Sequence, residues 1–115
     1  MKKVVKGDIF YADLRPAKGK EIGGRTIPVL VLQNNISNIS SKTTIVAPIS
    51  EKILEEDKQP THILVKQFKD IRPGSFVMLE QIRVIDKSRL KGYIGMLEEE
   101  QMKEISMALR MTFDI

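Results

Sequence analysis

Apolar residues along most of this chain fall into short runs divided by turn residues, and only near the C-terminus do they take up helical spacing. Ile9-Phe10-Tyr11-Ala12 follows Gly7-Asp8 and reads as a strand entered through a turn. Pro28-Val29-Leu30-Val31-Leu32 is apolar at every position, which predicts a central strand covered on both faces. Thr43 to Ser50 returns to strand chemistry, with Pro48 expected at a bulge or an edge because it has no N–H to donate to a ladder. Thr61 to Val65 predicts another strand. Arg72-Pro73-Gly74-Ser75 then turns the chain into a strand from Phe76 to Ile85 whose second half alternates polar and apolar.

The intervening segments carry turn chemistry. Arg15 to Thr26 holds one proline, three glycines and several basic residues, which predicts a mobile loop without regular structure. Asn34, Asn35, Ser37, Asn38, Ser40 and Ser41 mark a polar turn region, and Glu51 to Pro60 is a charged connection with room for a short helical turn. In the last segment Leu97, Met102, Ile105 and Leu109 follow helical spacing, and Glu98, Glu99 and Glu100 would sit at the positive end of the helix dipole. An amphipathic helix packed on the sheet or on a partner is expected. Met102, Met107 and Met111 would fill its contact with the sheet or with a second subunit. Several short strands separated by turns suggest a small barrel, and a length of 115 residues leaves room for one domain, residues 1–115.

Composition narrows the chemistry. No cysteine and a single histidine exclude a disulfide framework, a thiolate zinc site and a thiol nucleophile, and leave no reason to expect a metal or another cofactor. No apolar stretch approaches the ~20 residues of a membrane span and none resembles a cleavable signal, so no membrane contact is expected and the cytoplasm is the expected location. The net charge of +4 is ordinary for a small domain. Its distribution is more informative: Lys2, Lys3, Lys6, Arg15, Lys18, Lys20 and Arg25 face only Asp8, Asp13 and Glu21 in the first 25 residues. Such a basic front suits a polyanion.

Six stretches in order resemble the MazF/PemK/Kid toxins: Lys6 to Leu14, Gly19 to Arg25, Pro28 to Asn34, Thr43 to Ser50, Pro60 to His62 and Leu79 to Lys87. The resemblance implies a mainly β fold, the small SH3-like β-barrel of the MazF/CcdB-type plasmid maintenance toxins, with short helices and a C-terminal helix. It implies the toxin of a type II toxin-antitoxin pair, a homodimer that cleaves single-stranded RNA, chiefly mRNA, at short sequences without metal. It also implies a cognate MazE-like antitoxin whose acidic tail occupies the RNA groove, with DNA met only through the toxin-antitoxin complex.

Metal-free RNA cleavage uses the substrate's 2′-hydroxyl as nucleophile, so the protein must help move its proton, neutralise the phosphorane and protonate the leaving 5′-oxygen. The resemblance gives these tasks to Arg25 and Ser50. In the family the arginine directly precedes the proline of the central strand, whereas here Thr26 and Ile27 intervene; Ser50 stands where threonine is usual, keeping the hydroxyl and losing the methyl that restricts it. Glu21 would lie near the scissile site or a base edge. Gln81 and Arg83 form a polar stripe suited to base reading and phosphate contact, and Lys18 and Lys20 would attract phosphates generally. His62, between Thr61 and Ile63 in a strand, reads as structural. Two other functions share the fold: a gyrase poison, which needs no phosphate-facing arginine, and a catalytically inactive RNA-binding homologue.

Overall fold

The computed structural model describes residues 2–15, 26–51, 60–66 and 68–115. Strands β1 (Asp8–Asp13), β2 (Thr26–Val31) and β3 (Thr43–Ser50) form an antiparallel unit. β4 (His62–Leu64) and β5 (Phe76–Met78) continue it beyond β3, β6 (Arg83–Asp86) pairs with the other half of β3, and β7 (Leu90–Met96) flanks β1. The order β4-β5-β3-β2-β1-β7 places β2 centrally, as its unbroken apolar run predicts. The barrel expectation holds only loosely, because among the described residues β4 and β7 do not pair and the sheet stays open.

The reason β2 is apolar from Ile27 onward is visible in the two cores. Ile9, Leu30, Ala47 and Ile49 point to one face of the sheet and pack with Val77, Leu79, Ile105 and Ala108. Phe10, Val29, Val31 and Val46 point to the other, with Leu14, Ile85 and Leu90. Each fully buried aliphatic side chain stabilises the fold by about 1.5–3 kcal/mol relative to exposure.

Helix α2 (Glu99–Phe113) follows the predicted pattern: Ile105 and Ala108 are buried, Met102 and Leu109 are partly buried against the same core, and Glu99 and Glu100 occupy the first turn. Gln101 is also buried and donates from Nε2 to the Leu64 carbonyl (2.9 Å), tying the helix to the end of β4. The methionines divide. Met102 packs inward, but Met107 and Met111 are 69% and 65% exposed and fill no helix-to-sheet contact.

Two sequence expectations are corrected. The polar segment after β2 is not a turn but a short helix, α1 (Asn35–Ser40), capped by Asn34 accepting from the Ser37 N–H. Its inward residue is polar: Asn38 is buried, while Ile36 and Ile39 are each 83% exposed. The second correction concerns Phe76 to Ile85, which is two strands interrupted by a 3₁₀ turn, Leu79–Gln81. Ile49 faces Val77 and Val46 faces Arg83, so β3 advances three residues while its partner advances six. The surplus of three is the 3₁₀ turn. It lies beside Pro48, which offers no N–H for a continuous ladder and meets the expectation of a bulge.

The loop expected over Arg15 to Thr26 lies outside the described residues at 16–25, and the connection Glu51 to Pro60 does so at 52–59. The turn at Arg72-Pro73-Gly74-Ser75 is present, closed by Ser75 N–H donating to the Arg72 carbonyl (3.1 Å), with Gly74 at φ 90°. That left-handed backbone costs glycine little and other residues about 1 kcal/mol or more.

Candidate active site

Antiparallel pairing brings the start of β2 and the end of β3 to one end of the sheet. Thr26, the residue after Arg25, opposes Asp13, the last residue of β1. Ser50 closes β3 opposite Phe76 of β5 and is 9% exposed, so its hydroxyl lies at a largely covered strand terminus. Arg83, the first residue of β6, extends to the same end, where its Nη1 donates to the Leu14 carbonyl (3.3 Å). Arg89 joins it, donating from Nη1 to the carbonyls of Asp13 (3.1 Å) and Arg15.

Arg15 forks onto Asp13 through Nε (2.9 Å) and Nη2 (2.7 Å), and its backbone N–H donates to the same carboxylate (3.0 Å). The hydrogen bonds from Arg15 hold the Asp13 carboxyl well below the usual carboxylate range, and the pairing raises Arg15 above its ordinary value. Arg15 thus pairs with the one carboxylate while Arg83 and Arg89 hold backbone carbonyls around it, so three guanidinium groups gather at the end of β1. Such an end attracts a polyanion and offers planar donors to phosphate oxygens.

Of the sequence-derived site residues, the structure brings Ser50 and Arg83 to this end and leaves Gln81 half-buried, closing the 3₁₀ turn just before β6. Arg25, Lys18, Lys20 and Glu21 lie outside the described residues. Sequence reading overlooked Arg15 and Arg89 as members of this cluster. The Asp13-x-Arg15 spacing was a local clue, whereas Arg89 reaches its carbonyls across more than seventy residues and had none.

His62 is enclosed, its side chain 9% exposed. Its ring stacks on Phe76 with centroids 4.6 Å apart, and Nε2 lies 2.6 Å from Glu80 Oε2. Among the described residues, no group of three or more His, Asp or Glu side chains is arranged to hold a metal ion, and no helix is long and apolar enough to cross a membrane.

An open antiparallel sheet with a cationic, hydroxyl-bearing end and a C-terminal helix defines a class of small, mainly β proteins. The comparisons make the assignment specific. Residues 5–113 match the family of PemK-like, MazF-like toxins of type II toxin-antitoxin systems. The endoribonuclease EndoA of Bacillus subtilis is 43% identical over 110 residues, covering 95% of this chain and 93% of that protein. The endoribonuclease MazF of Staphylococcus saprophyticus is 41% identical over 105 residues, covering 90% and 86%. In structure, MazF from Deinococcus radiodurans superposes with a TM-score of 0.83 at 17% identity, covering all of both chains. A mycobacterial endoribonuclease in complex with its cognate antitoxin gives 0.77 at 19% identity, covering 100% and 97%. The chain belongs to the PemK-like, MazF-like toxin family.

Proposed function

We propose that this toxin is an endoribonuclease that cuts single-stranded RNA, mRNA above all, at a short sequence, leaving 2′,3′-cyclic phosphate and 5′-hydroxyl ends and thereby arresting translation and growth. The observation that supports the reading is the cationic end of the sheet, where Arg83, Arg15 and Arg89 meet at the end of β1 and where β3 closes with Ser50, in a chain so similar to named endoribonucleases.

The chemistry follows from charge. Attack by the 2′-hydroxyl builds negative charge on the equatorial phosphate oxygens, and a positioned guanidinium stabilises that charge more than it stabilises the ground state. Arg25 has this task and takes part in proton transfer; Ser50 holds a phosphate oxygen through its hydroxyl. Gln81 reads a base edge, Glu21 serves the scissile site or a base edge, and Arg83, Lys18 and Lys20 engage the backbone. Because the substrate supplies the nucleophile and arginine the charge, the reaction proceeds without a metal.

The working protein is a homodimer of single-domain subunits in the cytoplasm. Its regulator is a cognate MazE-like antitoxin, whose acidic tail competes with RNA for the cationic end, and DNA is met only through that complex. Incubation of the protein with a long unstructured RNA in EDTA, with mapping of fragment ends, tests the reading. Discrete cuts ending in cyclic phosphate, reduced about 10²–10³-fold by Arg25→Ala, are expected. Intact RNA under these conditions would overturn it and favour a gyrase poison or an inactive binding homologue.

A further inference from the structure

The 3₁₀ turn Leu79–Gln81 is a three-residue surplus on one strand, and a surplus of this kind keeps a fixed shape only if something other than the sheet ladder holds it. Two adjacent residues of β4 and its approach do so. The Leu79 N–H donates to the Thr61 carbonyl (3.0 Å), the Thr61 hydroxyl donates to Glu80 Oε1 (3.2 Å), and His62 Nε2 lies 2.6 Å from Glu80 Oε2. Both oxygens of the carboxylate are therefore engaged, and a carboxylate that accepts requires the Nε2–H form of the imidazole. Leu79, 1% exposed, anchors the inner side of the turn. Gln81 is the next residue along.

Histidine meets a double requirement here. Its flat ring stacks on Phe76, which is 7% exposed and lies opposite Ser50, while the ring's edge reaches outward to Glu80. A ring with one face on Phe76, Nε2 committed to Glu80 and a side chain 9% exposed is poorly placed to exchange protons with a substrate.

We propose that Thr61 and His62 clamp Glu80 so as to fix the 3₁₀ turn and hold Gln81 in its base-reading position, making His62 a specificity-determining positioning residue for RNA cleavage. The inference rests on the reading that Gln81 meets a base. It explains why the single histidine stands beside the site without belonging to the chemistry.

The test measures kcat and KM for cognate RNA and for RNAs changed singly at each base of the mapped cleavage sequence. His62→Phe keeps a ring for Phe76 and deletes the donor; Glu80→Ala, at an exposed position, deletes the acceptor; His62→Gln keeps an N–H donor; Gln81→Ala identifies the base read. His62→Phe and Glu80→Ala are expected to relax discrimination about tenfold at the base that Gln81→Ala relaxes, while kcat on cognate RNA stays within about threefold. His62→Gln should restore most of the discrimination, and His62→Phe combined with Glu80→Ala should be no worse than either alone. If Gln81→Ala relaxes discrimination while both clamp variants discriminate as the unsubstituted protein does, the clamp is overturned. A collapse of kcat with discrimination intact would overturn it in favour of proton transfer by His62. Unchanged discrimination in Gln81→Ala would remove the underlying reading of Gln81, and the clamp's proposed role with it.

Discussion

Replacing Asn38 by alanine perturbs one side chain that joins α1 to the sheet. Its Nδ2 donates to the Gln33 carbonyl (2.8 Å), and its Oδ1 accepts from Gln33 Nε2 (2.9 Å) and from the Thr44 hydroxyl (2.8 Å). Gln33 Nε2 keeps a second acceptor in the Thr43 carbonyl (3.1 Å), but Thr44 is fully buried and its hydroxyl loses its acceptor. Net loss of about 1 kcal/mol for each of the two bonds not replaced, with a further penalty of about 1–3 kcal/mol for a stranded buried group, gives a destabilisation of about 3–5 kcal/mol for Asn38→Ala. Thr44→Val removes the stranded hydroxyl without changing shape. The double variant should therefore be more stable, by about 1–2 kcal/mol, than the sum of the single losses predicts. Urea unfolding at fixed protein concentration reads this as a shift in midpoint at constant slope. A loss below about 0.5 kcal/mol for Asn38→Ala, or strict additivity of the two substitutions, would refute the reasoning.

Other predictions follow from single contacts. Ser50→Ala should lower kcat by about 10²-fold, and Ser50→Thr should retain activity, measured on one short RNA. A Cβ added at Gly95 would lie 2.5 Å from the Phe68 ring, so Gly95→Ala should cost about 1–3 kcal/mol in urea unfolding and be partly relieved by Phe68→Leu. The Asp13 carboxyl is depressed by its bonds from Arg15, so the stability it contributes is present above the unfolded value of about 3.9 and is lost as pH falls toward the folded value. Acid titration of unfolding should show a shallower loss below about pH 4 in Asp13→Asn than in the unsubstituted protein, and superimposable acid limbs would contradict this. RNA affinity should fall linearly on a log–log plot against salt, with a smaller slope in Arg83→Ala.

Much of the fold was legible because burial leaves a periodic trace. β2 is apolar from Ile27 onward because cores lie on both sides, and α2 shows its buried face at Ile105 and Ala108. α1 was illegible for the opposite reason: its isoleucines face outward and its buried member is Asn38, so the usual pattern is inverted. Local capping by Asn34 adds to bonds made with distant residues, and no local pattern reports the latter. The break between β5 and β6 was hidden because a register surplus appears only when the partner strand is known. Pro48 announced the bulge, but not that the opposite strand would carry it. β7 gave little signal because Gly92 and Gly95 interrupt its pattern, and Gly95 is where the Phe68 ring approaches the backbone.

The candidate site was legible in its parts more than in its arrangement. Ser50 could be read as a hydroxyl closing a strand, and Arg83 as a polar member of an alternating one. That Arg83 and Arg89 join Arg15 at the end of β1 depends on side chains that reach backbone carbonyls about seventy residues earlier in the chain. Gln81 read as part of a strand, whereas its setting comes from the 3₁₀ turn and the hold of Thr61 and His62 on Glu80.

The most direct test of the central claim uses a short RNA containing the mapped cleavage sequence, with a single 2′-deoxy substitution at the nucleotide 5′ to the scissile phosphate. The account predicts that this RNA binds with affinity close to the all-ribose form and is not cut, because the nucleophile has been removed while the phosphate contacts remain. Cleavage at the all-ribose rate would show that the nucleophile comes from elsewhere and would contradict the mechanism assigned to Arg25 and Ser50.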